Sequence, residues 1–189
     1  MVNLKEIEDV EKDLIDGEKP MKKIMVLGLA NSGKTSIVLS LKGTHNILSY
    51  YSLKPTKNID IQKIVEDEKR FFIWDFGGQK KFRDKYLEEF PKNAERASQL
   101  IFVIDVQDYN KYENAMEYLN QILNFPDVKN MEILIYLHKY DPYIEEDQNH
   151  IVHEKLSELI PQIRSILKNK FEYKIFKTSI YTTFRKLSA

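Results

Sequence analysis

Residues 26–38, with the sequence VLGLANSGKTSIV, pass from an apolar run into small residues and then into Gly-Lys-Thr. The spacing Gly28-x-x-x-x-Gly33-Lys34-Thr35 is that of a phosphate-binding loop between a strand and a helix. Small residues let backbone N–H groups turn towards phosphate oxygens, and the helix start adds the positive end of its dipole. We expect Lys34 to reach the terminal phosphates of a nucleoside triphosphate and Thr35 to ligate Mg²⁺. The nucleotide-binding residues predicted in this loop are Asn31, Ser32, Gly33, Lys34, Thr35 and Ser36.

A second candidate segment is WDFGGQ, residues 74–79, which follows a strand-like run. Asp75 is expected to hold Mg²⁺ through a water molecule, and the N–H of Gly78 is expected to sense the terminal phosphate. Gln79 is placed to orient the attacking water, as a glutamine does in Ras and Gα. Taken alone, Asp-x-Gly-Gly is also an ordinary turn at a strand end. Following a phosphate-binding loop, the segment favours hydrolysis, with Gln79 and Lys34 as the catalytic residues.

Two short segments near the ends of later strands, HKYD and TSI, predict which base is bound. The carboxylate of Asp141 can accept hydrogen bonds from N1–H and the exocyclic amine of guanine, whereas adenine offers only an acceptor at that ring position. The stem of Lys139 can lie along the base, and the N–H of Ser179 can meet guanine O6. Lys-x-Asp alone is common on protein surfaces. The interpretation therefore depends on the position of this segment after the first two. The predicted base-side residues are His138, Lys139, Asp141, Ser179 and Ile180.

Strand-like apolar runs alternate with helix-period stretches, which is typical of a layered α/β domain. The pattern predicts a phosphate-loop NTPase fold: a mostly parallel six-stranded sheet with one antiparallel strand and helices on both faces. The one antiparallel strand comes from a hairpin at residues 59–65 and 70–76. The other predicted strands are 23–28, 99–106, 131–138 and 172–179, and the last three are continuously apolar, as in strands buried on both faces. The predicted helices are 33–42, 111–124 and 150–168.

Composition excludes several classes of function. The 189 residues, 42% of them hydrophobic, suffice for one compact domain. Lys plus Arg and Asp plus Glu both number 29, so the overall charge does not favour binding to nucleic acid. There is no cysteine, which excludes disulfides, thiol catalysis, cysteine-ligated zinc, prenylation and palmitoylation. With neither a secretory signal nor a membrane-spanning run, we expect a soluble, cytoplasmic protein.

The first 20 residues are predicted to form an amphipathic helical extension, followed by the nucleotide-binding domain at 21–189. Apolar side chains at Leu4, Ile7, Val10 and Leu14 recur at helical spacing. The polar face is mostly acidic, which anionic lipid would repel, and no Gly follows Met1 for myristoylation. We therefore expect this helix to pack on its own domain or on a protein partner, with at most weak or indirect membrane contact and no lipid anchor.

Together these segments resemble a small GTPase of the Ras superfamily, over residues from Lys22 to about Ser188. WDFGGQ is similar to the Arf and Rag branches and to Gα. HKYD and FKTSIY resemble the Rag (Gtr) GTPases, whereas LGLANSGKTSI and KPTKNI resemble Arf. The chain is identified as an Arf/Rag-like member with a small G-protein fold.

The resemblance implies a role for Thr56 that spacing alone does not give. Its hydroxyl should complete the Mg²⁺ shell only when the third phosphate is present, drawing the loop at 43–58 inward as a switch. Thr44 is the competitor for this role, but it follows the first helix too closely. The alternative is an ordinary loop threonine after the rigid Pro55.

The chain departs from the family at three positions and in its C-terminal region. Ala30 stands where Ras has Gly and Arf a carboxylate, so its methyl group can crowd the transferred phosphate. His138 replaces an Asn and cannot make both of its hydrogen bonds, and Ile180 replaces a lysine that would cover the base. Rag proteins pair through a further C-terminal domain, so dimerisation by that route is not expected; other dimer surfaces remain open.

The sequence therefore predicts a guanine-nucleotide switch that hydrolyses GTP slowly with Mg²⁺. The resemblance implies activating, exchange and effector proteins that bind the two switch regions. Slow hydrolysis is expected because the phosphate-binding loop and the Pro55-Thr56 region contain no arginine, although Arg83 lies near Gln79. Two alternatives stay open: a nucleotide-bound scaffold that never cycles, suggested by Ala30 and His138, and a phosphate-loop ATPase or kinase.

Overall fold

A six-stranded sheet forms the centre of the computed structural model, which describes residues 21–44, 46–66 and 69–181. Its spatial order is β2-β3-β1-β4-β5-β6. β2 pairs antiparallel with β3, and all other neighbours are parallel. The predicted fold class, with one antiparallel strand in a mostly parallel sheet, is confirmed. The strands are β1 (Met21–Gly28), β2 (Ile59–Glu66), β3 (Lys69–Phe76), β4 (Ala97–Asp105), β5 (Glu132–His138) and β6 (Tyr173–Thr178).

Helices cover both faces of this sheet. The predicted helices at 33–42, 111–124 and 150–168 are confirmed, each within a few residues of its expected ends. Single 3-10 turns precede α5 and β5. The helices are α1 (Lys34–Leu41), α2 (Ile47–Tyr51), α3 (Lys80–Glu88), α4 (Phe90–Ala94), α5 (Tyr112–Leu123), α6 (Pro142–Glu146) and α7 (Ile151–Leu167).

Successive side chains along β1 belong to two different apolar clusters, one on each face of the sheet. Met25 and Leu27 belong to the larger apolar cluster, which α5 and α7 cover. Ile24 and Val26 belong to the smaller cluster, which α1 covers. Because successive side chains of a strand point to opposite faces, a central strand buried on both faces reads as an uninterrupted apolar run. That run is the KIMVLG pattern of the sequence.

β6 corrects one expectation from the sequence. The segment at 172–179 was expected to be buried on both faces, but its side chains alternate between half-buried and exposed. Phe176 is 42% exposed. β6 pairs only with β5 and is the edge strand of the sheet, so its apolar residues do not imply full burial.

The loop at 43–58 holds a short helix that the sequence did not predict. The side-chain oxygen of Asn46 accepts a hydrogen bond from the N–H of Leu48 at 3.0 Å and so caps α2. The Tyr50 hydroxyl donates to the carbonyl of Thr44 at 3.0 Å. These local hydrogen bonds order the segment that leads to Pro55 and Thr56.

The proposed N-terminal helix and the boundary at residue 20 lie outside the described residues. In the parts that are described, no helix has the length and apolarity needed to cross a bilayer. The aromatic residues that follow WDFGGQ are largely core, since Tyr86 and Phe90 are buried and Phe82 is half-buried.

Candidate nucleotide site

The predicted phosphate-side residues meet where the chain reverses its order across the sheet. β1 lies between β3 and β4, so the loops after these strands separate to opposite sides and leave a crevice at their carboxyl ends. A cavity of about 370 Å³ occupies this crevice. It is lined by Ala30, Asn31, Gly33, Lys34, Thr35, Ser36, Tyr50, Leu53, Lys54, Pro55, Thr56, Gly78 and Gln79.

Gly33 closes the phosphate-binding loop and begins α1 as its N-cap, with φ +91°. A Cβ atom on Gly33 would lie 2.3 Å from Cδ2 of His138. The left-handed backbone and this close approach both require glycine. The loop therefore packs directly against the first residue of the HKYD segment.

Lys34 is buried within the loop, where its Nζ donates to the carbonyl of Leu29 at 2.7 Å. Burial lowers the pKa of Lys34 to about 8, an effect that Asp75 opposes and Arg83 reinforces. The ammonium is thus still largely protonated at pH 7, and a phosphate anion beside it would raise its pKa again. This is a cation held in place for an anionic ligand.

The three predicted metal residues converge although they come from distant segments. The Thr35 hydroxyl lies 2.5 Å from Asp75 Oδ2 and 2.9 Å from the Thr56 hydroxyl. Thr56 Oγ1 lies 3.2 Å from the same carboxylate oxygen. Hydroxyl and carboxylate oxygens are the ligands that Mg²⁺ prefers. The contact also brings the loop before β2 against the phosphate-binding loop.

Asp75 has the features expected beside a cation. It is completely buried, and its Oδ1 has no hydrogen-bond partner among the residues that the structure describes. Burial raises the pKa of the carboxyl, while the Thr35 hydrogen bond and the Lys34 charge oppose that rise. A divalent cation nearby would favour the charged carboxylate and satisfy the buried oxygen. The residues present therefore fit Mg²⁺.

Gly78 and Gln79 also line the cavity. A Cβ atom on Gly78 would come within 2.4 Å of the Leu29 carbonyl and 2.5 Å of the Ala30 nitrogen, so only glycine fits against the phosphate-binding loop. Gln79 is the N-cap of α3, and its half-buried side chain lines the cavity. The side chain and the Gly78 backbone therefore face the space next to Lys34.

The predicted base-side residues form a second group. Asp141 Oδ1 accepts a hydrogen bond from the Ser179 hydroxyl, and Oδ2 accepts one from Gln107 Nε2 at 3.0 Å. Lys139 has φ +61°, and its Nζ donates to Asp105 Oδ2 at 2.6 Å. An ion pair with β4 thus holds the lysine that was expected to lie along a base.

His138 connects the two groups. Its ring is buried, touches Gly33, and places Nδ1 3.0 Å from the Thr178 hydroxyl. Burial lowers the pKa of His138 to about 4, and the Lys139 ammonium adds to this effect while the Asp105 and Asp141 carboxylates oppose it. A neutral imidazole therefore links the phosphate-binding loop to the end of β6.

This burial predicts a pH-dependent stability. The pKa of His138 is about 4 in the folded chain and 6.5 when unperturbed, so the unfolded chain binds the extra proton first as the pH falls. The contribution of neutral His138 to the free energy of unfolding is fully present above pH 6.5 and is lost as the pH falls towards 4. From pH 7.5 to pH 5 the free energy of unfolding should decrease by about 2 kcal/mol from this group. Urea titrations should show a smaller decrease for His138→Asn, which cannot titrate; equal decreases would contradict the assignment.

Like the base-side residues, Ser32, Ile180 and Arg83 are not among the residues that line this cavity. Ser32 is buried beneath the loop, and its Oγ has no hydrogen-bond partner within the described part of the chain. Ile180 follows β6 and is 37% exposed. The Arg83 guanidinium packs 4.9 Å from the Tyr118 ring on α5.

Sequence reasoning missed four residues at this site. Tyr50, Leu53 and Lys54 line the cavity; Tyr50 lies on the unpredicted helix α2, and the other two follow it. Gln107 reaches Asp141 from the end of β4. No local motif marks Gln107; the only available signal was its place after a buried strand, at the same sheet edge as HKYD.

Comparisons with known proteins agree with this fold. A sequence model of the ADP-ribosylation factor family matches residues 8–186. ADP-ribosylation factor-like protein 2 of Arabidopsis thaliana is 32% identical over 124 residues, which are 66% of this chain and 62% of that protein. The chain thus spans less than two thirds of that relative. The Arl6 BBS3 small GTPase from Trypanosoma brucei, solved with bound nucleotide analogue GppNp, matches with a TM-score of 0.66 and 18% identity, over 85% of this chain and 87% of that one. At that identity the likeness shows a shared fold.

Proposed function

This chain belongs to the ADP-ribosylation factor (Arf) family of small GTPases, within the Ras superfamily, and we propose that it is a guanine-nucleotide switch that binds GTP and GDP with Mg²⁺ and hydrolyses GTP slowly. The observation that carries the proposal is the contact among Thr35, Thr56 and Asp75, within 3.2 Å of one another. It joins the phosphate-binding loop, the loop before β2 and the end of β3 at one point. A ligand that binds there can therefore move both loops together.

The chain's own residues divide the chemistry between them. Lys34 and the backbone of the phosphate-binding loop would hold the phosphates, and Mg²⁺ on Thr35, Thr56 and Asp75 would neutralise charge on the phosphate oxygens. Gln79 would orient a water molecule in line with the terminal phosphorus. Attack by that water forms one P–O bond while the bond to the leaving diphosphate breaks, so GTP and water yield GDP and phosphate. Asp141 would accept hydrogen bonds from guanine.

The position of Arg83 supports a slow intrinsic rate. Its guanidinium stacks on Tyr118, on the α5 side, rather than lining the cavity. An arginine supplied by a partner is worth about 10³- to 10⁵-fold in turnover for related switches. An activating protein is therefore part of the proposal.

Exposed apolar side chains next to the site support regulation by partners. Leu48 is 73% exposed and Tyr51 is 84% exposed, both on α2 within the loop that ends at Thr56. Side chains of this size are unusual on a free surface when they lie together, and they favour contact with another protein. We propose that activating, exchange or effector proteins bind this loop, and that the chain acts in the cytoplasm.

Fluorescence of the single tryptophan tests the switch directly. Trp74 is 1% exposed and precedes Asp75, and the Lys23 ammonium lies 3.6 Å from the centre of its ring. Replacing GDP with a non-hydrolysable GTP analogue should change the emission of Trp74 because the end of β3 responds to the third phosphate. An unchanged spectrum, with binding shown separately, would favour a scaffold that does not cycle. Chromatography of nucleotide extracted from purified protein separates a GTPase from an ATPase.

A further inference from the structure

A side chain outside the predicted nucleotide motifs reaches the carboxylate that would read the base. Gln107 follows β4, and its Nε2 donates to Asp141 Oδ2 at 3.0 Å and to the Lys139 carbonyl at 2.8 Å. Its backbone N–H donates to Asp105 Oδ1 at 3.0 Å. One residue thus ties the end of β4 to a loop 34 positions further along the chain.

These contacts leave room on Asp141 for a base. Ser179 donates to Oδ1 and Gln107 donates to Oδ2, so each carboxylate oxygen has one donor of its own. An ionised carboxylate offers about four acceptor positions in total, two on each oxygen. One position on each oxygen therefore remains for the two donors of guanine, and the plane of the carboxylate is held from both sides.

Gln107 also supports the backbone next to Asp141. Lys139 adopts φ +61°, a left-handed conformation that is costly for a residue with a long side chain. Its Nζ is paired with Asp105, and its carbonyl is the second acceptor of Gln107. Such a conformation persists when its surroundings hold it in several places. The Asp105 and Gln107 pair at the end of β4 supplies those contacts.

We propose that Gln107 is a positioning residue for guanine specificity, because its amide holds the Asp141 carboxylate in the plane that meets both guanine donors. The inference rests on the proposed function and adds to it a residue that sets base discrimination. Guanine presents N1–H and an exocyclic amine, whereas hypoxanthine presents only N1–H. If the carboxylate could rotate, the chain would therefore lose more affinity for GTP than for inosine triphosphate (ITP), whose base is hypoxanthine.

The test compares GTP and ITP binding by displacement of a fluorescent GDP from the full chain. Gln107→Met keeps the side-chain length but removes the donor. It should lower GTP affinity about six- to tenfold and ITP affinity about twofold, so the GTP to ITP ratio should fall about three- to fivefold. Gln107→Glu should lower GTP affinity further, because a second carboxylate cannot donate and repels Asp141.

The matched control is Gln121→Met, the same change at an exposed position of α5. It should leave the ratio unchanged, and Gln107→Ala provides a second removal of the donor. A ratio in Gln107→Met equal to that of the parent would overturn the positioning role while leaving the guanine-nucleotide switch intact. A parent chain that binds ATP and GTP equally would instead overturn the proposed function, and the role of Gln107 with it.

Discussion

Asp141→Asn is expected to lower the affinity for GTP by about 10³-fold and to transfer the preference to xanthosine triphosphate, because a site built to pair with a polar group rejects the ligand that leaves it unpaired. The carboxylate of Asp141 only accepts hydrogen bonds, which suits the two donors of guanine. An asparagine amide accepts one and donates one. Xanthine carries an oxygen where guanine has its amine, so it complements the amide instead.

The measurement is displacement of a fluorescent nucleotide by GTP, XTP and ATP, for the parent and the variant. Asp147→Asn is a suitable control, because Asp147 is an exposed carboxylate close in sequence whose side-chain oxygen accepts from the Asn149 N–H. An amide oxygen can still accept that hydrogen bond. If the parent binds ATP as tightly as GTP, or if Asp141→Asn keeps the preference of the parent, the base-reading role of Asp141 is wrong.

Gln79→Leu should abolish most of the intrinsic GTP hydrolysis while leaving GTP affinity within about twofold of the parent. The glutamine acts on the attacking water rather than on the nucleotide, and a misplacement of about 1 Å at a reacting centre can cost on the order of a hundredfold. The side chain lies in the cavity wall beside Gly78, at the start of α3. Leucine keeps a similar volume there but has no hydrogen-bonding group.

Single-turnover hydrolysis of bound GTP measures this effect, with Gln121→Leu as the control for a glutamine remote from the cavity. The parent should itself be slow, near the rate of about 10⁻⁴ per second known for Ras without its activating protein. Hydrolysis by Gln79→Leu at the rate of the parent would exclude the proposed role of the glutamine. Many turnovers per second by the isolated parent would remove the need for an activating protein.

The fold could be predicted from the sequence because its signals are local. A continuous apolar run before Gly28 reads as a buried strand, and the hairpin at β2 and β3 follows from two strand patterns joined by a short polar turn. The strand pairing confirms the expected mostly parallel sheet with one antiparallel strand. Local patterns report burial less well at the edge of a sheet, and for this reason β6 was expected to be more buried than it is.

The candidate site was predicted as far as each motif carries its own geometry. Gly33, Lys34 and Thr35 are adjacent in sequence, so their loop and helix start are set by short-range conformation. The order of the segments then places Asp75 and Asp141 at the same edge, because parallel strands end together. The residue types in these segments by themselves predict a triphosphate-binding site at that edge.

Only the tertiary structure decided which distant side chains meet there. Strand register sets Asp105 of β4 opposite His138 of β5, and His138 opposite Thr178 of β6. From this register follow the contact of the His138 ring with Gly33 and the reach of Gln107 to Asp141. Hydrogen-bond partners, burial and shifted pKa values depend on what packs around a group in three dimensions. Residues separated by 34 positions in the chain share no local pattern that would predict such a contact.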